Sequence, residues 1–110
     1  MALGDAHSLQ LVKLEGRVLV ELYVLGIFDR KTIHELSDEA IESFLNAPFS
    51  QTNYDGYVAA SDDARVQPVS VRNEQTKSLE RIAERDRVTT ETIIHTALVH
   101  YLEKNTQFHY

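Results

Sequence analysis

QPVSVRNEQTK, residues 67–77, contains a short strand-like pattern. Val69 and Val71 alternate with Ser70 and Arg72 as in a β-strand, and helix-forming residues follow within a few positions. A lone strand leaves its backbone N–H and C=O groups unpaired, so a strand this short needs a partner. We therefore predict that it pairs with the same strand of a second copy about a two-fold axis.

Two helices are predicted after this strand. Leu79, Ile82 and Ala83 fall on one face of the first helix. Thr89 or Thr90 can cap the second helix, which has the clearest amphipathic pattern in the chain. Its apolar face consists of Ile93, Ile94, Ala97, Leu98, Tyr101 and Leu102. The predicted order is therefore strand, helix, helix.

The segment Val69–Lys104, VSVRNEQTKSLERIAERDRVTTETIIHTALVHYLEK, resembles a ribbon-helix-helix domain of the MetJ/Arc/CopG superfamily. The resemblance rests on the V-x-V strand, the apolar faces of both helices and the Thr-x-Glu entry to the second. It implies an intertwined dimer whose two-stranded ribbon enters the major groove of DNA. The turn between the helices usually carries glycine in that family, whereas this chain has Arg87 near that position.

The resemblance also assigns candidate site residues. On the ribbon, Ser70 and Arg72 would contact DNA bases, because an arginine fork matches the edge of guanine and a hydroxyl can serve any base. Thr89 and Thr90 would contact a phosphate at the start of the second helix. The implied dimer core consists of Val69, Val71, Leu79, Ile82, Ile93, Ile94, Ala97, Leu98 and Tyr101.

Each candidate contact has a simpler alternative. Arg72 can be an exposed arginine near a helix start, and the two threonines can be ordinary N-caps. Lys77 is a further candidate phosphate contact, within a basic stripe shared with Arg81 and Arg85. A solvated helix surface is the simpler explanation of that stripe, since mixed-charge helix surfaces are routine.

The front half is predicted to be helical. Between residues 8 and 28, polar residues recur every three or four positions, as on a mostly buried helix, although a strand at 17–25 is an alternative. Ser37 is the predicted cap of a short second helix that ends at Pro48. Residues 1–47 would form this acidic region, residues 48–65 a linker, and residues 66–110 the ribbon-helix-helix domain.

Composition limits the possible functions. The 110 residues carry a net charge of −6 and include no cysteine. The absence of cysteine excludes thiolate metal sites, and no motif for catalysis or phosphate binding is present. Residues 1–63 hold four basic and eleven acidic residues, a net charge of −7, whereas residues 64–110 have a net charge of +1. The acidity therefore lies in the front half.

Histidines offer little support for a metal site. His95 and His100 are five positions apart, which places them about 140° apart around a helix. We expect no metal or cofactor. Thr92, His95 and Val99 share the rear of the second predicted helix, where we expect the front part of the chain or a partner to pack.

The resulting prediction is a mainly α protein with a C-terminal β-α-α unit forming an intertwined dimer. It would be a cytoplasmic, non-enzymatic, sequence-specific DNA-binding regulator, either a repressor or an antitoxin-like autoregulator. Its partners would be double-stranded DNA, a second copy, possible higher oligomers, and a protein bound by the front region. The alternative is a dimeric protein-interaction scaffold that does not bind DNA. No apolar run is long enough to predict a membrane span.

Overall fold

The computed structural model describes residues 7–46, 57–62 and 64–108. These ranges form two strands and four helices, with each strand followed by two helices. In chain order they are β1 (His7–Leu14), α1 (Gly16–Asp29), α2 (Ile33–Asn46), β2 (Arg65–Arg72), α3 (Asn73–Asp86) and α4 (Thr90–Asn105).

The two strands form one antiparallel sheet with a buried and an open face. His7 lies opposite Arg72, and Leu14 lies opposite Arg65. Residues directly opposite each other project from the same face, and successive residues alternate between faces. The inner face carries the buried side chains of Val12, Leu14, Val69 and Val71. Helices α2 and α4 pack against β2 and β1, respectively. The sheet therefore has helices on one side.

The predicted intertwined β-α-α dimer preceded by a helical region is wrong as a fold. A strand and two helices do occur in the back half, but the partner of β2 is β1 of the same chain. This pairing gives one edge of β2 its hydrogen-bonding partner without a second copy. Most residues predicted to form a dimer core are instead fully buried within one chain, and Ile82 and Tyr101 are partly buried against the same core.

The prediction for the front region also needs correction. The segment predicted as one helix is strand β1 followed by α1, so the alternative strand at 17–25 is wrong as well. Ser37 lies buried inside α2, while Thr32 caps this helix by accepting a hydrogen bond from the Glu35 N–H at 3.1 Å. The Thr32 N–H donates in return to the Glu35 carboxylate at 2.8 Å, which completes a capping box.

Other predictions fall only partly on the described residues. Pro48 and most of the predicted linker lie outside them, and residues 57–62 contain no regular helix or strand. The turn between α3 and α4 is centred on Arg87, whose φ of 57° is left-handed. The Val88 N–H donates to the Ala83 carbonyl at 3.1 Å and closes this turn. Arginine thus occupies a left-handed position, a conformation that favours glycine.

Candidate interaction site

Arg72 lies at the end of β2 within a cluster of carboxylates. Its Nε donates to Asp38 at 2.9 Å, and its two terminal nitrogens donate to Glu42 at 2.6 Å and to Glu74 at 3.0 Å. Asp38 and Glu42 are four residues apart on α2, so both face the strand end. The Arg72 N–H also donates to the Gln75 side chain at 3.1 Å, which joins the strand to α3.

This geometry bears directly on the predicted base contact. The fork that would recognise guanine is occupied by three carboxylates, which would also repel a nearby phosphate. Arg72 therefore fixes α2 and α3 to the end of the sheet. The other candidate, Ser70, lies on the open face of β2 and is partly exposed, opposite Leu9.

The open face of the sheet is apolar along most of its length. Leu9 and Leu11 are 67% and 70% exposed, and Leu11 lies opposite Pro68. Val66 is exposed on the same face, opposite Lys13. We call this surface, formed by Leu9, Leu11, Val66 and Pro68, the ribbon face. The predicted dimer would present a second serine and a second arginine from the other copy of β2. Because β2 pairs with β1 instead, two leucines of β1 lie beside it on this face.

The candidate phosphate contacts lie on α3 and at the start of α4. Thr89 is the N-cap of α4, and its hydroxyl accepts a hydrogen bond from the Thr92 N–H at 3.0 Å. Thr90 begins the helix and is partly exposed, and Lys77 is exposed on α3. Glu91 follows in the first turn and accepts the Lys13 N–H at 2.7 Å. The start of α4 is therefore already capped by Thr89, and the carboxylate of Glu91 lies beside it.

His95 connects three segments in the interior. Its Nδ1 lies 2.8 Å from the Val58 carbonyl, and its Nε2 lies 3.4 Å from the Glu15 N–H. A carbonyl only accepts, so Nδ1 donates, and Nε2 of the neutral ring accepts. The Val58 N–H donates to the Thr96 hydroxyl at 2.8 Å. The expected packing of the front part behind α4 agrees with these contacts and with the burial of Val99.

The histidines do not form a metal site within the described residues, where no group of three metal-ligating side chains converges. Burial lowers the pKa of His95, against the opposing influence of the Val58 carbonyl and of Glu15 and Glu91. Burial also lowers the pKa of His100, with Glu103 opposing the shift. Both rings thus favour their neutral form.

Helix α1 carries a second exposed apolar surface. Its exposed side chains follow the spacing i, i+3, i+4, i+7, i+8. They are Val20, Tyr23, Val24, Ile27 and Phe28, which we call the α1 stripe. The opposite side of α1 buries Val18, Leu22 and Leu25 in the core. Sequence reasoning treated this helix as mostly buried and therefore missed the stripe, although the spacing was present in the sequence.

Comparison with protein-family models, with curated proteins and with solved structures finds no match. Helices α1 to α4 all lack the combination of length and apolar character needed to cross a bilayer.

Proposed function

We propose that this chain is a protein-interaction module that binds a partner protein on its ribbon face. The observation that carries the proposal is the exposure of Leu9 and Leu11 on the open face of the sheet. Contiguous exposed apolar residues are characteristic of interaction surfaces, because water contact with them is unfavourable. Val66 and Pro68 extend the same surface across β2.

The partner that fits is an extended segment with apolar side chains and an acidic residue near one end. The apolar groups of the ribbon face recur every two residues along each strand, which matches the side-chain period of an extended peptide. Lys13 lies on the open face at one end of the sheet and is exposed. An acidic group in the partner would complement this cation.

Selection from a displayed library of random peptides, using the full chain as bait, tests this function. We expect apolar peptides to be enriched, and we expect the double variant Leu9→Ser/Leu11→Ser to bind them at least about tenfold more weakly, which corresponds to about 1.4 kcal/mol. Both leucines are mostly exposed, so the variant should remain folded. The matched control is Val20→Ser/Val24→Ser, which alters apolar residues on α1 and should leave peptide binding unchanged.

Sequence-specific DNA binding stays a prediction, and a parallel selection from random double-stranded DNA tests it. The ion pairs of Arg72 with Asp38 and Glu42 and the apolar ribbon face favour the protein-binding proposal. At low salt we expect no enriched DNA sequence. Enrichment of one sequence, with affinity that falls steeply with salt and is lost in Arg72→Ala, would replace the proposal with DNA recognition. Failure to enrich any peptide whose binding depends on Leu9 and Leu11 would also contradict the protein-binding proposal.

A further inference from the structure

We infer that the α1 stripe is the contact surface of a homodimer in which α1 packs against α1 of a second copy. The inference goes beyond the proposed function, because it concerns a different surface and a different partner. It begins with the degree of exposure: Ile27 and Phe28 are 78% and 79% exposed at the end of a helix whose other side is in the core. Leaving such side chains in water is unfavourable.

The exposed area suits a pair of chains. The five side chains of the stripe expose on the order of 500 Å² in one chain, at the upper end of what a monomer usually leaves in one apolar patch. Two copies packed face to face would remove on the order of 1,000 Å² of apolar surface from water, which reaches the lower range of specific interfaces. Flanking polar residues would add to that area.

The shape of the surface favours self-association. A groove of about 340 Å³ runs beside the stripe, with Tyr23 and Ile27 on one wall and Ile33 of α2 among its lining residues. Phe28 projects from the same helix end. A two-fold interface uses one surface twice, so that surface must offer both projecting and recessed groups. The stripe and its groove provide both.

The charges near the stripe point to an apolar partner. No position of the stripe carries a charge, and two cations near its ends, Arg17 and Lys31, are engaged within the chain. Arg17 lies over the Phe108 ring at 5.6 Å from its centroid, and Lys31 pairs with Glu39 at 2.6 Å. An oppositely charged partner would gain little here. A second copy presents the same uncharged surface.

Sedimentation equilibrium of the full chain, up to roughly 100 µM, tests the inference. We expect a reversible dimer that Ile27→Lys weakens at least about thirtyfold, because the lysine would be buried in an apolar contact. The matched control is Leu11→Lys, the same kind of change on the ribbon face, which should leave the dimer unchanged. Since each copy carries −6, added salt should strengthen the dimer by screening repulsion.

A single spin label supplies an independent readout, because the chain has no cysteine of its own. We expect labels attached at Glu21→Cys, beside the stripe, to lie within about 20 Å of each other across packed helices. Labels at Glu80→Cys on α3 should lie farther apart. A monomer at the highest concentration, or a dimer sensitive to Leu11→Lys but not to Ile27→Lys, would overturn the inference. Peptide binding to the ribbon face is measured separately, so either proposal can fail alone.

Discussion

Replacement of His95 by leucine is expected to lower the free energy of unfolding by about 3 kcal/mol, because it removes the buried ring donor and acceptor that face the Val58 carbonyl and the Glu15 N–H. The His95 side chain is 0% exposed, and its Nδ1 donates to the Val58 carbonyl at 2.8 Å. Leucine offers neither this donor nor the acceptor that faces the Glu15 N–H. Urea unfolding followed by circular dichroism measures the change.

The control for this variant is His34→Leu. His34 is exposed on α2, so its replacement should change the free energy of unfolding by less than about 0.5 kcal/mol. If His95→Leu were as stable as the native chain, the hydrogen bonds that join α4 to residues 57–62 would contribute little. Leucine is close to histidine in size, so the comparison reports mainly the polar contacts rather than a cavity.

The buried histidine also predicts a pH dependence. The pKa of His95 in the folded chain lies below its ordinary value of 6.5, so the unfolded chain takes up this proton first as the pH falls. The contribution of His95 to stability is therefore fully present above about pH 6.5. This contribution is lost as the pH falls toward the lowered pKa of His95 in the folded chain. Urea titrations at about pH 7.5 and 5.5 should show this loss, and His95→Leu should reduce it.

His100 should retain part of the pH dependence in that variant, because burial lowers its pKa as well. The carboxylates of Glu39 and Asp86 contribute to the pH dependence of stability at lower pH. Hydrogen bonds from Lys31 and Tyr101 lower the pKa of Glu39. Hydrogen bonds from Arg85 and, to a smaller extent, from Tyr57 lower the pKa of Asp86. Their contribution is lost below their ordinary values of 4.5 and 3.8. Equal pH dependence in the native chain and His95→Leu would contradict the assignment.

Gly26→Ala is expected to lower the free energy of unfolding by about 2 kcal/mol, because a side chain does not fit there. A Cβ atom at Gly26 would lie 2.6 Å from the Lys31 carbonyl oxygen, which is backbone and cannot rotate away. The Lys31 N–H also donates to the Gly26 carbonyl at 2.9 Å, which ties the same two residues together. Thermal and urea unfolding measure the loss.

Gly16→Ala is the matched control on the same helix. A Cβ at Gly16 meets nothing within 4 Å, and alanine has the higher helix propensity. We therefore expect this variant to be unchanged or more stable by up to about 1 kcal/mol. Equal effects of the two substitutions would show that helix propensity, rather than the contact with Lys31, determines the outcome at Gly26.

The strand and helices of the back half could be predicted because their patterns are local. Val69 and Val71 define β2, and the apolar spacing defines α3 and α4. The partner of β2 could not be predicted, because a V-x-V pattern indicates that a strand needs a neighbour without indicating which one. In β1, Gln10 and Lys13 continue a helical spacing across Gly16, and this coincidence concealed the boundary between strand and helix.

The sequence indicates which residues could belong to the candidate site but not which residues lie next to them. Arg72 is a functional candidate from the sequence, but its partners Asp38 and Glu42 lie 34 and 30 residues away, and only the fold brings them to the strand end. Leu9 and Leu11 were missed because on a helix they would belong to a buried face. Their exposure depends on which face of a two-stranded sheet the helices cover.

The pairing of β1 with β2 has a consequence for synthesis. Leu14 leaves the ribosome about 50 residues before Arg65, its partner in the sheet. At roughly 5–20 residues per second, β1 waits several seconds for the strand that completes it. During that interval Val12 and Leu14 have no sheet partner, and the nascent chain must keep them from pairing with neighbouring chains on the same message.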